Sequence, residues 1–590
     1  MSPADQQSAQ RVLPTRSERN RLPSQPGLSE SAAAGSSSPR RSQPAFNDIA
    51  DSVGIRFEFH TDFTEDRYYL PEIMGGGVGA IDFDRDGRMD LFFPNGSVLI
   101  PDPTNPVPLP GDMLFHQGAS GIFRNDAVVA GVGSPGYGQG CAIADFDADG
   151  FPDIYLTEYG RNHLYQNNGD GTFVEVDSSV VGGSQLWSTS CAWVDVNHDL
   201  LPDLYVVNYL SVRKDNIRTC DYSGIVGYCG PGEYDALQDE VFVNQGDGTF
   251  SDETADRGFI SEDGKGLAIC VLDFNHDLKP EIYVANDMTE NFMFSTTVPG
   301  ASDAKSSPQW QNLAGISGCA VSESGMNEAS MGVACADFDF DQLPDIYLTH
   351  FYHQKNTLYH NQGNLTFLDD SRRFRVTVTS NDFLGFGVVP FDYDSDGAMD
   401  LFVANGHVLG PKYSPSRMRP QLLENVEGKW LDDVSSSAGE YFREYWLGRG
   451  AAGIDFDNDG DRDLAVSHLA APVVLLQNDT PPTYSRVYGF QLEDTFRNAP
   501  VGGRIEVQVG DWRRSFPVSS GGSYLSSPDP RLLIPVPDDA ESAVVFRVYW
   551  TSGKVDEYSD LEPGCYWLIR EGRMPVVWAE FNGKLGKDAP

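Results

Sequence analysis

The chain has 590 residues, of which 40% are hydrophobic and 12% aromatic, enough apolar content for a packed interior. Its formal net charge of −44 disfavours nucleic acid and anionic membrane surfaces as partners, because such a field repels phosphate, and it favours divalent cations. No run of about 18 apolar residues occurs, which argues against a transmembrane segment.

Residues 1–45 differ in composition from the rest of the chain. They are rich in Ser, Pro, Gln and Arg and hold almost no large apolar side chains, so we expect them to be disordered. They also lack the apolar stretch of about 7–15 residues that marks a secretory signal peptide. No signal peptide is therefore visible in this sequence.

Residues 46–482 contain one acidic nonapeptide seven times, from DFDRDGRMD at 82–90 to DFDNDGDRD at 455–463. A Gly-containing apolar segment precedes each copy, and a β-rich segment such as "IYLTEYG" follows it. We number these loops 1 to 7 and their residues as positions 1 to 9. The loops span residues 82–90, 145–153, 195–203, 273–281, 337–345, 392–400 and 455–463.

The repeat spacing of 50 to 78 residues leaves room for about four short strands in each unit, which is the size of a propeller blade. The pattern therefore predicts an all-β fold, a seven-bladed β-propeller over 46–482. A β-solenoid is the nearest alternative, but it requires shorter and more uniform repeats.

The loops present the ligands that Ca²⁺ prefers, which are several carboxylates and a backbone carbonyl around a tight turn. We expect side-chain oxygens at positions 1, 3, 5 and 9 and a backbone carbonyl at position 7. The alternative is an Asp-rich turn without metal, since Asp also bonds its own backbone. The predicted ligands are Asp82, Asp84, Asp86, Arg88 and Asp90; Asp145, Asp147, Asp149, Phe151 and Asp153; Asp195, Asn197, Asp199, Leu201 and Asp203; Asp273, Asn275, Asp277, Lys279 and Glu281; Asp337, Asp339, Asp341, Leu343 and Asp345; Asp392, Asp394, Asp396, Ala398 and Asp400; and Asp455, Asp457, Asp459, Asp461 and Asp463.

Three loops depart from the common pattern. Leu200, Leu278 and Gln342 replace glycine at position 6, where a left-handed backbone costs a side chain about 1 kcal/mol. Asn197 and Asn275 replace the acid at position 3. We therefore expect up to seven Ca²⁺ ions, with loops 195–203 and 273–281 binding most weakly, and a metal-free protein of lower stability.

The insertion "CDYSGIVGYCGPGEY" holds Cys220 and Cys229. A local disulfide here would indicate an oxidising compartment, and the alternative is two free thiols. Together with the modest Ca²⁺ affinity of extracellular modules, the pair favours an extracytoplasmic location (periplasm, cell surface or secreted), whereas the absence of a visible signal peptide points the other way.

Residues 483–572 contain five alternating apolar runs separated by Gly, Pro and Asp turns, which predict a small C-terminal β-sandwich-like domain before a tail at 573–590. Within it, "GGSYLSSPDPRL" (521–532) offers Tyr524 and Arg531 as candidate ligand-binding residues for an anion or a sugar. The structural alternative, which we favour, is a glycine-bearing loop required by strand geometry.

Several segments resemble a known family. The DxDxDGxxD loops between Gly-led strands resemble the FG-GAP or VCBS repeat of integrin α-type propellers. Residues 46–96 and 264–294 resemble repeats of the cartilage acidic protein family, with its bacterial members, and "NAPVGGRIEVQVGDWRRSFPVSSGGSYLSSPDPRLLIPV" (498–536) is similar to its ASPIC/UnbV domain. The resemblance implies a calcium-binding seven-bladed propeller with a small β module, and no settled activity.

These observations predict a non-enzymatic calcium-binding scaffold for protein or glycan binding and adhesion. The inserts 209–238 and 295–327 are the expected contact surfaces, since binding concentrates in loops on a rigid frame. The alternative is a calcium-dependent polysaccharide lyase or hydrolase acting at the central channel, although no catalytic motif concentrates the 42 basic residues.

Overall fold

A computed structural model describes residues 42–581, apart from 66, 102–107, 178–180, 182–184, 223, 298–308, 410–414 and 539–541, together with 584–585. Most of the predicted disordered segment and part of the insert 295–327 thus lie outside the described residues. The described part is all-β, as predicted. Its helices have three or four residues each: α-helices Ala127–Ala130, Ala314–Ser317 and Val376–Thr379, and 3-10 helices Leu70–Ile73, Pro231–Glu233, Ser435–Ser437 and Tyr441–Arg443.

The acidic repeats form seven groups of four antiparallel strands, named here sheets 1 to 7. Each acidic loop joins the first strand of its sheet to the second. The strands are Gly79–Ile81, Asp90–Phe93, Met113–Gln117 and Phe123–Asn125 (sheet 1); Gly138–Ala144, Asp153–Gly160, His163–Asn167 and Phe173–Glu175 (sheet 2); Leu186–Val194, Asp203–Asn208, Glu240–Asn244 and Phe250–Asp252 (sheet 3); Gly266–Leu272, Glu281–Asn286, Phe292–Ser295 and Gln311–Asn312 (sheet 4); Val333–Ala336, Asp345–Leu348, Thr357–Asn361 and Phe367–Asp369 (sheet 5); Gly385–Phe391, Asp400–Asn405, Gln421–Val426 and Trp430–Asp433 (sheet 6); and Gly448–Ile454, Asp463–His468, Val474–Asn478 and Phe46–Asp48 (sheet 7).

The two ends of the repeat region meet in sheet 7. Its fourth strand, Phe46–Asp48, comes from the start of the region and pairs antiparallel with Val474–Asn478 near its end. Sheets 2 and 3 are also joined at their edges, because Leu186 pairs with Gly160. Side chains of neighbouring sheets share apolar clusters, such as Ile81 of sheet 1 with Ile154 of sheet 2.

The first strands of the seven sheets lie side by side and are almost wholly buried. Gly79–Ile81 of sheet 1 contacts Gly138–Ala144 of sheet 2 on one side and Gly448–Ile454 of sheet 7 on the other. The intervening first strands contact one another in chain order. The order of contacts therefore returns to its starting sheet.

A second set of contacts follows the same order outside the first strands. The backbone carbonyl at position 2 of each acidic loop accepts a hydrogen bond from a side chain of the next sheet, which we call the inter-sheet amide contact. The donors and acceptors are Asn167 to Phe83 (2.8 Å), Asn244 to Phe146 (2.8 Å), the Trp310 indole to Val196 (3.0 Å), Asn361 to Phe274 (2.8 Å), Asn425 to Phe338 (2.9 Å), Asn478 to Tyr393 (2.9 Å) and Gln117 to Phe456 (3.0 Å).

The insert 209–238 carries its own hairpin, Thr219–Tyr222 paired with Ile225–Tyr228. Cys220 and Cys229 are joined in a disulfide, with their Cα atoms 5.0 Å apart. The other cysteines are free thiols, and all of them except the half-buried Cys335 are buried.

Residues 486–585 form two further sheets around one core that includes Phe490, Val507 and Phe546. Each of the five predicted runs contains a strand. One sheet comprises Arg486–Glu493, Leu532–Val536, Cys565–Arg570, Val576–Glu580 and Lys584–Leu585, and the other Arg504–Val509, Trp512–Pro517, Val545–Tyr549 and Val555–Tyr558. We call this part the C-terminal module.

Candidate metal centre

All seven acidic loops share one backbone shape, with left-handed residues at positions 4 and 6. Position 6 is glycine in four loops. Leu200, Leu278 and Gln342 adopt the same conformation, with φ of 70°, 64° and 75°. The turn geometry is therefore kept in the three loops that lack glycine.

The carboxylates at positions 1 and 9 are held by backbone N–H groups. In loop 1, Asp82 accepts hydrogen bonds from the N–H groups of Asp86 and Gly87, both at 3.0 Å. Asp90 accepts from Phe83 at 3.3 Å and from Gln117 on the third strand at 2.7 Å. The position 1 contacts recur in every loop. Position 9 accepts from a backbone N–H of the third strand in all loops but loop 4, where Glu281 accepts from the side-chain hydroxyl of Ser295 on that strand.

The carboxylate at position 3 is left incompletely bonded. One oxygen each of Asp84, Asp339 and Asp457 is buried without a hydrogen-bond partner among the described residues. Carboxylate oxygens of positions 1, 3 and 9 lie within 4.8 Å of one another in loops 1 and 2, and those of positions 1, 3 and 5 do so in loop 5. Converging oxygens with free lone pairs are the donor set that Ca²⁺ takes, so these residues fit that ion.

The electrostatics of the loops favour a bound cation. Burial and the neighbouring Asp84 raise the pKa of Asp82 to about 7, and burial raises the pKa of Asp153 to about 9. The position 9 carboxylates Asp400 and Asp463 also have pKa values raised well above the usual range, by burial first and by the neighbouring aspartates second. A divalent ion would offset this repulsion.

Loops 3 and 4 offset their charge differently. The Asn197 amide donates to Asp199 at 2.8 Å, and the Asn275 amide donates to Glu281 at 3.2 Å. At position 3 these loops thus have a hydrogen-bond donor directed at a carboxylate, where the other five loops have a carboxylate. That they are the weakest cation sites stays a prediction.

The C-terminal module lies against the acidic loops and directs arginines at them, which the sequence pattern did not reveal. Arg497 donates to the backbone carbonyl of Asp149 in loop 2, and Arg514 to that of Gly397 in loop 6. The Arg514 guanidinium also lies 3.7 Å from the Phe340 ring centroid in loop 5. The only available signal was the number of arginines between residues 497 and 531 of an otherwise acidic chain.

Residues 520–529, which we call the central segment, extend from the module along the first strands of all seven sheets. The segment bonds Val78 and Ala80 in sheet 1, Cys141 in sheet 2, Ser190 and Trp193 in sheet 3, Ile269 in sheet 4, Val333 in sheet 5, Val388 in sheet 6, and Ala451 and Gly453 in sheet 7. The approach is close, since a Cβ atom at Gly77 would lie 1.7 Å from the Leu525 carbonyl oxygen.

Tyr524 and Arg531 occupy interior positions. The Tyr524 hydroxyl donates to the Met74 carbonyl at 3.2 Å. Arg531, 1% exposed, bonds the Asp529 carboxylate, the Asp455 carbonyl and the Asn458 side chain. The structure thus gives both side chains partners inside the protein, in line with the structural alternative for 521–532.

Family models match the regions that carry this geometry. The FG-GAP-like repeat matches residues 145–206 and 337–403, and the ASPIC and UnbV domain matches residues 496–575. The chain therefore contains FG-GAP-like repeats and an ASPIC and UnbV domain. It is 24% identical over 389 residues to cartilage acidic protein 1 of Mus musculus, covering 62% of the chain and 53% of the relative. The Homo sapiens relative is 25% identical over 381 residues, covering 59% and 50%. The chain spans about half the length of the curated relatives it matches.

Solved structures show weaker similarity. An Agrocybe aegerita lectin that recognises non-reducing terminal N-acetylglucosamine matches with a TM-score of 0.36 and 16% identity, covering 63% of this chain and 89% of the lectin. An exotype rhamnogalacturonan lyase matches with a TM-score of 0.26 and 9% identity, covering 70% and 90%. Among the residues that the structure describes, no helix has the length and apolar character needed to cross a bilayer.

Proposed function

We propose that the protein is a non-enzymatic scaffold in which a seven-bladed propeller, stiffened by Ca²⁺ in its acidic loops, binds a protein or glycan outside the cytoplasm. The closed order of contacts among the first strands and the matching order of inter-sheet amide contacts support the propeller. The Cys220–Cys229 disulfide supports an oxidising location.

The observation that carries the calcium assignment is the set of buried position 3 oxygens without partners, at Asp84, Asp339 and Asp457. Leaving a buried acceptor unsatisfied costs about 1–3 kcal/mol, and three repeats of one motif leave the same atom unsatisfied. A bound cation at each of these positions supplies the missing partner and offsets the surrounding negative charge.

A scaffold is favoured over the lyase or hydrolase alternative because the central segment occupies the channel where substrate would bind. Its hydrogen bonds reach the first strands of all seven sheets, and they extend from Gly453, just before loop 7, to Met74, which precedes the first strand of sheet 1. The propeller thus offers its inserts for binding, and the disulfide-linked hairpin of 209–238 is the best-described candidate. Its apolar side chain Val226, 44% exposed, lies on the second strand of the hairpin, paired with Asp221.

The experiment is a Ca²⁺ count by native mass spectrometry, paired with thermal denaturation in Ca²⁺ and in EDTA. We expect Asp457→Asn to bind one ion fewer than the parent, while Asp382→Asn, an exposed acid outside the loops, keeps the parent count. Ca²⁺ should raise the Tm of the parent by several degrees. A parent that binds no Ca²⁺ and melts at the same temperature in EDTA contradicts the proposal.

The partner is sought by screening immobilised glycans and proteins with the full chain, with and without EDTA. Binding that disappears in EDTA supports the scaffold, because the metal holds the frame that presents the inserts. Turnover of a polysaccharide in the same screen would overturn the non-enzymatic assignment.

A further inference from the structure

One residue of each third strand faces the acidic loop of its own sheet. It is the residue immediately before the inter-sheet amide or its counterpart, and its type varies with position 3 of the loop. Sheets 1, 2, 5, 6 and 7, which have Asp at position 3, carry a polar residue there, whereas sheets 3 and 4, which have Asn, carry an apolar one. In sheet order these residues are His116, Gln166, Val243, Phe294, His360, Glu424 and Gln477.

Contacts with the loop carboxylates are made by His116, Gln166, His360 and Gln477. Gln477 donates to Asp457 at 2.9 Å, and Gln166 makes the corresponding bond to Asp147. In loop 1, His116 Nε2 lies 3.2 Å from Asp84 Oδ2. In loop 5, His360 Nδ1 lies 3.1 Å from Asp345 Oδ1 and 3.5 Å from Asp339 Oδ2. Loops 1 and 5 thus place an imidazole nitrogen among carboxylate oxygens.

The loop 5 group has the features of a built site. The Asp339 side chain is 8% exposed and its Oδ1 has no partner among the described residues, while the Asp345 side chain is fully buried. Donor atoms of Asp339, Asp345 and His360 lie within 4.8 Å of one another. Arg373, 45% exposed, shares Asp339 Oδ2 at 3.3 Å and also pairs with Asp370 at 3.0 Å, so an entering cation would compete with Arg373 for this oxygen.

The loop 1 group is supported from behind. Donor atoms of Asp84, Asp86 and His116 also lie within 4.8 Å of one another. The second ring nitrogen of His116 lies 3.3 Å from Asp126, which Arg124 holds at 2.6 Å. A carboxylate behind the ring orients a metal-binding histidine and raises its basicity.

We propose that loops 1 and 5 are mixed nitrogen–oxygen sites that take a transition-metal ion such as Zn²⁺, through His116 Nε2 and His360 Nδ1, while loops 2, 6 and 7 offer oxygen alone. Imidazole is a preferred ligand of Zn²⁺, whereas Ca²⁺ takes oxygen. This inference rests on the proposed function, because it assumes that the acidic loops bind cations.

The test uses Co²⁺ as a spectroscopic substitute for Zn²⁺ on the full chain saturated with Ca²⁺. We expect two Co²⁺ ions to bind with visible d–d absorption and to displace the Ca²⁺ of loops 1 and 5. His116→Gln and His360→Gln should each weaken the binding of one Co²⁺ ion at least about tenfold, so that the affected loop keeps its Ca²⁺. Both variants place on the third strand the residue type that Gln166 and Gln477 already supply in sheets 2 and 7, which favours retention of the fold.

Two further variants keep the result decisive. Gln477→His should add a third Co²⁺ site in loop 7, and His353→Gln, an exposed histidine outside the loops, should leave both sites intact. Unchanged Co²⁺ binding in both histidine-to-glutamine variants, with Ca²⁺ still bound, overturns the inference alone. A parent that binds neither ion overturns the proposed function with it.

Discussion

The residue at position 6 shows how strongly the loop geometry is imposed on individual side chains. Gly397 in loop 6 and Gln342 in loop 5 have nearly the same φ, 83° and 75°. A left-handed conformation costs a residue with a Cβ about 1–2 kcal/mol. Loops 3, 4 and 5 therefore already carry a strain that loops with glycine avoid.

This comparison gives a matched pair of substitutions. We expect Gly397→Ala to lower the free energy of unfolding by about 1 kcal/mol, because the added Cβ meets only ordinary contacts, the nearest being Trp512 at 3.4 Å. Gln342→Ala replaces one L-residue by another and should change it by less than about 0.5 kcal/mol. Chemical denaturation of both variants measures the difference. Equal losses would show that backbone strain at position 6 is not the cause.

At the scale of elements, each sheet is held to the next by its inter-sheet amide contact. Asn361 is fully buried, and its side chain bonds the Phe274 carbonyl of sheet 4, the Pro344 carbonyl and the Gly363 N–H. One side chain thus fixes the acidic loop of its own sheet, the following turn and the neighbouring sheet. The contact couples loop geometry to the closure of the whole array.

Asn361→Ala should lower the free energy of unfolding by about 2–4 kcal/mol, because two buried backbone carbonyls and the half-buried Gly363 N–H lose their partner. The exposed neighbour Gln362 provides the control, and Gln362→Ala should stay within about 0.5 kcal/mol of the parent. Both values come from urea denaturation in saturating Ca²⁺. If Asn361→Ala behaved like the control, the inter-sheet contact would contribute little to stability.

The elements show which features could be predicted from the sequence. The loop positions, their turn glycines and the strands on either side follow from local spacing, so the repeats could be placed before the structure was known. The inter-sheet amide was visible only as the Asn of "YQNNGDGTF", whose acceptor, Phe83, lies 84 residues away. The pairing of Phe46–Asp48 with Val474–Asn478 was equally hidden, because no local pattern specifies a partner so distant.

At the scale of the whole molecule, the central segment is the feature that the sequence least revealed. Its glycines and serines indicated a structural loop, but they did not reveal that its hydrogen bonds reach every first strand. Ser523 alone contacts Val333, Val388 and Ala451 in three different sheets. The module and the repeats therefore share one buried framework, although their sequences describe two separate units.

Folding buries several acidic-loop carboxylates close to one another, and this determines how the free energy of unfolding depends on pH. Burial and neighbouring acids raise the pKa of Asp82, Asp145 and Asp337 to about 7. Without metal, the folded state therefore binds more protons than the unfolded state between about pH 4 and pH 7, so its stability falls as pH rises through this range. Bound Ca²⁺ requires the ionised carboxylates, so the metal-loaded protein loses this trend.

We accordingly expect the Tm in EDTA to fall between pH 5 and pH 8, and the increase in Tm caused by Ca²⁺ to grow over the same range. Thermal denaturation at matched ionic strength measures both quantities, with Mg²⁺ as the control ion because it demands a smaller octahedral site. Protons and Ca²⁺ then compete for the same carboxylate oxygens. A Ca²⁺ effect that grows with pH would therefore indicate that the ion binds the carboxylates whose pKa values are raised. A Ca²⁺-induced increase of equal size at pH 5 and pH 8 would mean that the ion binds away from these carboxylates.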